Sequence, residues 1–284
     1  MKNKGGGMRE ERGTPLEPNA ALAALVRAVG QSTKYRHVAP EVVAAIGARE
    51  LAARHNLAEA IKATKNKLHQ VGAAYLAAKM PYPQWLALLQ DAAGRGGEAL
   101  RVTCAQIMAH HASSRERLPL LESFYTQTLG ALGPLTSVAD LACGLNPLAI
   151  PWMPLAPGAH YAAYDIYLDL MTFLQGALSL LGVQGKAEAR DLLHNPPTEP
   201  VQVALLLKAI PCLEQLDQDA GRKLLAAIPA QHLLVSFPAH SLGGREKGMV
   251  AHYEAHFRDL LRALPWRVEE RFLFPGELVF LLSR

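Results

Sequence analysis

The sequence predicts an α/β protein in which a Rossmann-like, doubly wound sheet follows an all-helical N-terminal region. Three observations carry this. Residues 201–207 form a near-continuous apolar run, the composition of a central parallel strand. Residues 137–141 read as a buried strand that runs through Ala142-Cys143 into a sharp turn at Gly144, the place where open α/β sheets bind ligands. A second strand, 161–165, ends in Asp165, which lies 21 residues past Gly144. That is about the distance at which an acid meets the ribose hydroxyls of a bound nucleoside cofactor.

The phosphate-cradling pattern Gly-x-Gly-x-x-Gly is absent from this turn. A cofactor with a ribose but no pyrophosphate fits best, which points to S-adenosylmethionine. Read without Asp165, the same stretch is an ordinary strand-to-helix turn.

The N-terminal region supplies three helical patterns. Residues 20–29 form an Ala/Leu-rich helix with Asn19 as its expected N-cap and Gly30 as its stop. A second helix starts at Pro40, a residue suited to the first helical position, and runs to 53. A third, 57–78, carries Lys62, Lys65, Lys67 and His69 on one side and Leu57, Ile61, Leu68, Val71, Tyr75 and Leu76 on the other. Short loops between three helices predict a small bundle. Lys34-Tyr35-Arg36, between the first two, sets an aromatic between two cations and suits RNA phosphate and base contacts.

Pro81 and Pro83 end the bundle, because they remove donors and restrict their neighbours. The expected organisation is a disordered tail at 1–18, a helical RNA-binding bundle at 19–80, a helical connector at 81–112, and the sheet domain at 113–284. The connector carries helices at 83–93 and 98–109, split by Gly94-Arg95-Gly96-Gly97. A long helix at 115–132 leads into the first strand, with Ser113 or Ser114 as its cap and Arg117 in its first turn. Arg117 also suits bidentate pairing with a carboxylate, such as that of the donor's methionine part. His110 and His111 lack companions at metal-ligand spacing and read as loop histidines.

Beyond the second strand the pattern gives a helix at 168–181, a short strand at 186–189 ending in Arg190-Asp191-Leu192, the strand 201–207, a helix at 216–227 and a strand at 232–237. Asp191 is placed to accept from an adenine amine or to cap the next turn. A glycine-rich basic loop from His240 to Gly248 precedes a helix at 249–264. Strands at 267–274 and 278–282, joined by Pro275-Gly276-Glu277, read as a hairpin. Five β-α alternations closed by a hairpin match the methyltransferase variant of the doubly wound sheet.

Composition narrows the classes. No apolar run approaches the length of a membrane span, and no apolar stretch follows the first seven residues as in a secretory signal. Three widely spaced cysteines, Cys104, Cys143 and Cys212, suit a reducing cytoplasm and form neither a disulfide framework nor a zinc site. Residues 1–80 hold 13 Lys and Arg against 6 Asp and Glu, a balance of +7, whereas the remainder carries −3. A basic module ahead of a slightly acidic body suggests a polyanion-binding arm on a catalytic domain.

Taken together these motifs resemble a family: the aminoglycoside-resistance methyltransferases that modify guanine nitrogen 7 in the 16S rRNA decoding A site. The residues that carry the resemblance are the run His111-Ala112-Ser113-Ser114-Arg115-Glu116-Arg117, the run from Asp140 to Ala149 with Cys143-Gly144-Leu145-Asn146-Pro147 at its centre, Tyr164-Asp165-Ile166, and Asp191-Leu192. Leu205-Leu206-Leu207-Lys208 with Pro211-Cys212-Leu213-Glu214, Val235-Ser236-Phe237-Pro238, Lys247-Gly248-Met249 and Lys67-Leu68-His69-Gln70 add to it. The resemblance implies a Rossmann-like S-adenosylmethionine-dependent methyltransferase domain behind an all-helical N-terminal RNA-binding domain. It implies that Tyr75, His111, Ala112, Ser113, Arg117, Ala142, Asp165, Asp191, Leu192, Leu207 and Gln215 line the methyl-donor site. It further implies that the helices dock on the small ribosomal subunit through Lys34, Arg36, Lys62, Lys65 and Lys67, and that Lys208, His240 and Arg245 lie near the target base or RNA backbone. The expected partner is the small subunit with its 16S rRNA, with neither DNA nor membrane, engaged by a cytoplasmic monomer.

Two positions depart from the family. Ala142 stands where many methyltransferases have glycine, and His240 stands where a Lys or Arg is expected. The other classes weighed are a small-molecule methyltransferase, which has no need of a basic arm, and a catalytically inactive rRNA-binding protein, which has no need of Asp165, Asp191 and Arg117.

Overall fold

In the computed structural model, residues 17–54, 56–73, 80–239 and 248–284 are described. Residues 1–16 of the expected tail, Tyr75, His240 and Arg245 lie outside them, whereas Pro18, the last residue of that tail, already belongs to the first helix.

Helices α1 (Pro18–Gly30), α2 (Pro40–Ala53) and α3 (Leu57–Leu68) pack on one another, as the short loops require. Pro40 occupies the first turn of α2 as expected. Asn19 is not a cap: α1 begins two residues earlier than expected, at Pro18, and it runs through Gly30 because Gln31 continues the right-handed geometry. The side-chain cap in this region is Asn56, whose Oδ1 accepts from the amides of Ala58 and Glu59 at the start of α3. The helix expected over 57–78 departs from α geometry at His69, where a π-helical turn, His69–Ala73, takes over.

Helices α4 (Tyr82–Arg95) and α5 (Gly97–Met108) form a hairpin about Gly96. Tyr82 and Trp85 pack on Phe173, fastening this hairpin to the sheet domain. The helix expected over 115–132 is broken. α6 (Ala112–Arg117) and α7 (Leu121–Leu129) are separated by a 3₁₀ turn at Leu118–Leu120, because Pro119 has no amide to donate and restricts Leu118. Ser113 and Ser114 lie inside α6 and make no side-chain cap; His111 holds the N-cap position.

The seven-stranded sheet has the order β3-β2-β1-β4-β5-β7-β6. Its strands are β1 (Leu135–Leu141), β2 (Leu155–Asp165), β3 (Gln184–Ala189), β4 (Val201–Leu207), β5 (Ala230–Pro238), β6 (Arg267–Phe274) and β7 (Glu277–Ser283). Strands β1 to β5 run parallel, and the hairpin of β6 and β7 adds to β5 antiparallel. Strict five-fold β-α alternation does not hold. A 3₁₀ segment, Asn146–Trp152, joins β1 to β2, and a loop without a helix, through Asn195-Pro196-Pro197, joins β3 to β4. Helix α8 (Leu168–Leu180) joins β2 to β3. The helix expected over 216–227 starts only at Ala220, as α10 (Ala220–Ala227), after a turn in which the Asp217 carboxylate accepts from the Asp219 amide; a separate short helix, α9 (Ile210–Glu214), precedes it. Helix α11 (Met249–Leu260) precedes the hairpin.

Alternation along the central strands divides the core. Val138 of β1 and Val203 and Leu205 of β4 face the layer that contains α2, α7 and α8. Ala139, Leu141, Ala204 and Leu206 face α10 and α11. The N-terminal helices share the first layer: Leu25, Val43 and Leu68 are buried in the same cluster as Leu170 and Leu205. A backbone bridge between Val38 and Tyr167, with the Ala39 amide donating to the Ile166 carbonyl, ties this region to the end of β2.

Candidate active site

The strand order changes direction between β1 and β4, and ligands of doubly wound sheets bind at the carboxyl ends of such strands. A cleft opens there. Its floor comes from the strand ends, and one wall comes from α2 and α3 through Ile46, Arg49 and Lys67.

Two non-glycine residues at the floor adopt left-handed backbone: Ala142 after β1, with φ 53°, and Lys208 after β4, with φ 57°. Each such residue carries about 1–2 kcal/mol of strain. The two stand side by side because β1 and β4 are neighbours, and the strain marks the edge of the cleft. Gly144 is also left-handed, with φ 52°, and a side chain there would meet His111 Nε2 at 2.9 Å. The Gly144 amide donates to Asp165 Oδ2 at 2.9 Å, and the Ile166 amide donates to Oδ1 at 2.7 Å. Burial raises the Asp165 carboxyl, and these two amides oppose the shift. Burial, then Arg117, lowers His111 to about 4, so His111 is neutral near pH 7.

Beneath the cleft runs a buried polar network. Arg117 donates through Nε to Glu277 Oε2 at 3.1 Å and through Nη2 to Oε1 at 2.6 Å, and through Nη1 to Asn146 Oδ1 at 3.0 Å. Tyr125 donates to the same Asn146 oxygen, while Asn146 Nδ2 and the Tyr161 hydroxyl donate to Asp140 Oδ2. Ser236 donates to Glu277 Oε1, and Lys208 Nζ lies 2.6 Å from Glu116 Oε2 and 3.7 Å from Glu277 Oε2. Burial would raise the Glu277 carboxyl, but Arg117 and Lys208 outweigh it and hold it below its ordinary value. Removing one partner of such a buried pair costs about 3–5 kcal/mol, because the other charge is left uncompensated.

Of the predicted donor-site residues, His111, Ser113, Arg117, Ala142, Asp165, Asp191, Leu192 and Leu207 all line this cleft. Ala112 and Gln215 lie beside it without lining it; the Gln215 carbonyl accepts from Lys67 Nζ at 2.6 Å. Arg117 has Glu277 as its bidentate partner, where the sequence suggested a donor carboxylate. Asp191 shows the capping geometry: Oδ1 accepts from the Leu193 and His194 amides, and Oδ2 lies 2.7 Å from His194 Nδ1. His194 in turn meets Arg49 of α2 at 3.3 Å, and Arg49 also donates to the Leu216 carbonyl at 3.2 Å.

Among the predicted RNA contacts, Lys34, Arg36 and Lys62 are exposed, Lys65 is half-buried, and Lys67 turns into the cleft wall. Lys34 Nζ lies 3.0 Å from His69 Nδ1, and Arg36 donates to His37. Lys208 lies in the cleft floor, paired with Glu116. No local pattern marks Arg49 or Glu277, whose partners lie far off in the chain, or the contact of His194 with Arg49. Asn146 was visible in its motif, but not as the hinge between Arg117 and Asp140.

This sheet, with a cleft at its topological switch point and a carboxylate pinned beside a glycine turn, defines a Rossmann-like methyltransferase. The description "Ribosomal RNA methyltransferase (FmrO)" belongs to the family whose profile matches residues 31–281. The chain belongs to that family. It is 36% identical over 274 residues to the 16S rRNA (guanine(1405)-N(7))-methyltransferase of Micromonospora echinospora, covering 95% of this chain and 100% of that protein. It is 39% identical over 260 residues to the enzyme of the same name from Frankia casuarinae, covering 90% and 91%. Among solved structures, the 16S rRNA methyltransferase RmtF in complex with S-adenosyl-L-homocysteine superposes with a TM-score of 0.78 at 32% identity, covering 98% of this chain and 100% of that one. The 16S rRNA methylase RmtB gives 0.74 at 26% identity, covering 95% and 100%.

Proposed function

We propose that this enzyme transfers a methyl group from S-adenosylmethionine to nitrogen 7 of a decoding-site guanine in 16S rRNA, and so confers aminoglycoside resistance. The observation that supports this best is the cleft itself, in which Asp165, pinned by the Gly144 and Ile166 amides, faces the same space as buried Leu192 and Leu207. The relatives named above carry the guanine 1405 specificity in their names.

The residues fit such a donor. Asp165 presents acceptor oxygens for ribose hydroxyls, and Leu192, Leu207 and Ile166 give apolar walls for an adenine ring. When bound, the donor supplies an electrophilic methyl group on a sulfonium sulfur. Guanine nitrogen 7 has a free in-plane lone pair, so no side chain has to remove a proton. Neutral His111 shapes the turn, and the protein's contribution is to orient the reactants and exclude water. The target base must be unstacked to enter the cleft.

The N-terminal helices act as the RNA-docking domain. Lys34, Arg36 and Lys62 stand exposed, and among the described residues Lys62 and Lys65 form no ion pair, so they are available to phosphate. His240 and Arg245, which lie between β5 and α11 in the chain, complete the RNA contacts. The enzyme works in the cytoplasm as a monomer on the assembled small subunit.

The test is reverse-transcription mapping of 16S rRNA after small subunits are incubated with enzyme and labelled donor. Label at one decoding-site guanine is the expected result; label on another nucleotide, or none, overturns the reading.

A further inference from the structure

Glu277 opens the hairpin strand β7, 160 residues away in sequence from Arg117, yet its carboxylate is the centre of the buried network. Both are almost fully buried, at 3% exposure each. A guanidinium has five N–H donors. Glu277 takes two of those on Arg117 and Asn146 takes a third. Among the described residues two remain without a partner, one on Nη1 and one on Nη2. Arg117 lines the cleft, so the leftover pair belongs to the edge not occupied by Glu277. The guanidinium also lies 4.6 Å from the Phe124 ring, which fixes its plane from one side.

We propose that Glu277 is a positioning residue for the donor: by holding the inner edge of Arg117, it aims the two remaining N–H groups at the carboxylate of the methionine part. Ser236 supports this through its hydrogen bond to Glu277 Oε1, and its hydroxyl also accepts from the Lys208 amide at 3.0 Å. Because Lys208 Nζ approaches the same Glu277 carboxylate, one acid links the donor side of the cleft to the left-handed turn after β4. The sequence holds no hint of this, since an acid in a hairpin turn is ordinarily solvated. The inference rests on the donor reading above.

Two ligands separate positioning from mere support. S-adenosylhomocysteine has the amino-acid carboxylate, and 5′-methylthioadenosine has the same nucleoside and thioether without it. The account expects Glu277→Gln to weaken S-adenosylhomocysteine about tenfold or more while leaving methylthioadenosine within about twofold of wild type, since a charge-assisted bidentate contact carries at least that much. Equal weakening of both ligands, or of neither, overturns the proposal. If Glu277→Gln does not fold, Ser236→Ala decides, with a smaller loss confined to S-adenosylhomocysteine expected and a loss shared by both ligands contradicting it. A wild-type protein that binds neither ligand would overturn the donor reading itself, a result distinct from either of these.

Discussion

The Gly144 amide donates to the Asp165 carboxylate at 2.9 Å, joining the turn after β1 to the end of β2. This bond fixes the acid at the cleft edge, and it needs a left-handed residue without a side chain at 144. Gly144→Ala places a methyl 2.9 Å from His111 Nε2 on a backbone that L-residues rarely adopt. The expected result is a loss of about 1–2 kcal/mol in stability together with at least about tenfold weaker donor binding, as read by urea unfolding and calorimetry. Unchanged donor affinity would show that the turn does not shape the cleft.

Ala142 offers the opposite experiment. Its φ of 53° is strained with a Cβ, and glycine removes that strain at some entropic cost in the unfolded chain. Ala142→Gly is expected to be neutral or to stabilise by up to about 1 kcal/mol, and Ala142→Val to destabilise by about 2 kcal/mol or more. Thermal unfolding of the two variants reads both signs. A stabilising valine would contradict the backbone argument.

Asp140 and His111 make stability depend on pH in opposite directions. Burial raises the Asp140 carboxyl to about 7, with Tyr161 and Asn146 opposing, so the folded chain keeps a proton that the unfolded chain loses. The stability that this gives is complete below the ordinary carboxyl range and is lost as pH rises through about 7. His111, lowered from 6.5 to about 4, does the reverse: its contribution is lost as pH falls from 6.5 to about 4. Asp140→Asn keeps an acceptor for Tyr161 and Asn146 and leaves His111 uncompensated. Its stability should therefore fall on acidification toward pH 4.5 by roughly 2 kcal/mol more than that of wild type, measured by urea unfolding across pH. Parallel curves for the two proteins would refute a proton held on folded Asp140.

Much of the sheet was legible because its strands have strong local signals. The run Val201–Leu207 coincides with β4, as a segment apolar at every position but Gln202 must be buried on both faces. Helix ends were less legible. Pro119 breaks a helix that the pattern carries straight through, and α10 starts only at Ala220, past the Asp217 turn, since pattern outweighs a single residue until the turn it makes is seen. Asp165 and Leu192 could be read because they follow strand ends. Glu277 could not, since its function depends on meeting Arg117 across the fold, and Arg49 meets His194 across 145 residues.

The exposed lysines separate docking from donor binding. Lys62 is exposed on α3, whereas Lys67, five residues on, reaches the Gln215 carbonyl in the cleft wall. Lys62→Glu is expected to leave donor affinity unchanged, weaken binding to small subunits several-fold at about 0.1 M salt and flatten its salt dependence. Lys67→Ala is expected to weaken donor binding as well. Filter binding and calorimetry on both variants measure the split; identical profiles would contradict the division between helix face and cleft wall.

The central claim is that the cleft at the carboxyl edge of β1, β2 and β4 holds the methyl donor through Asp165. Calorimetric titration of S-adenosylhomocysteine into the wild-type and Asp165→Ala proteins tests it most directly. One-to-one binding by the wild type, reduced by about a hundredfold or more in a variant that still unfolds cooperatively, is the predicted result. Equal affinity in the two proteins would contradict it.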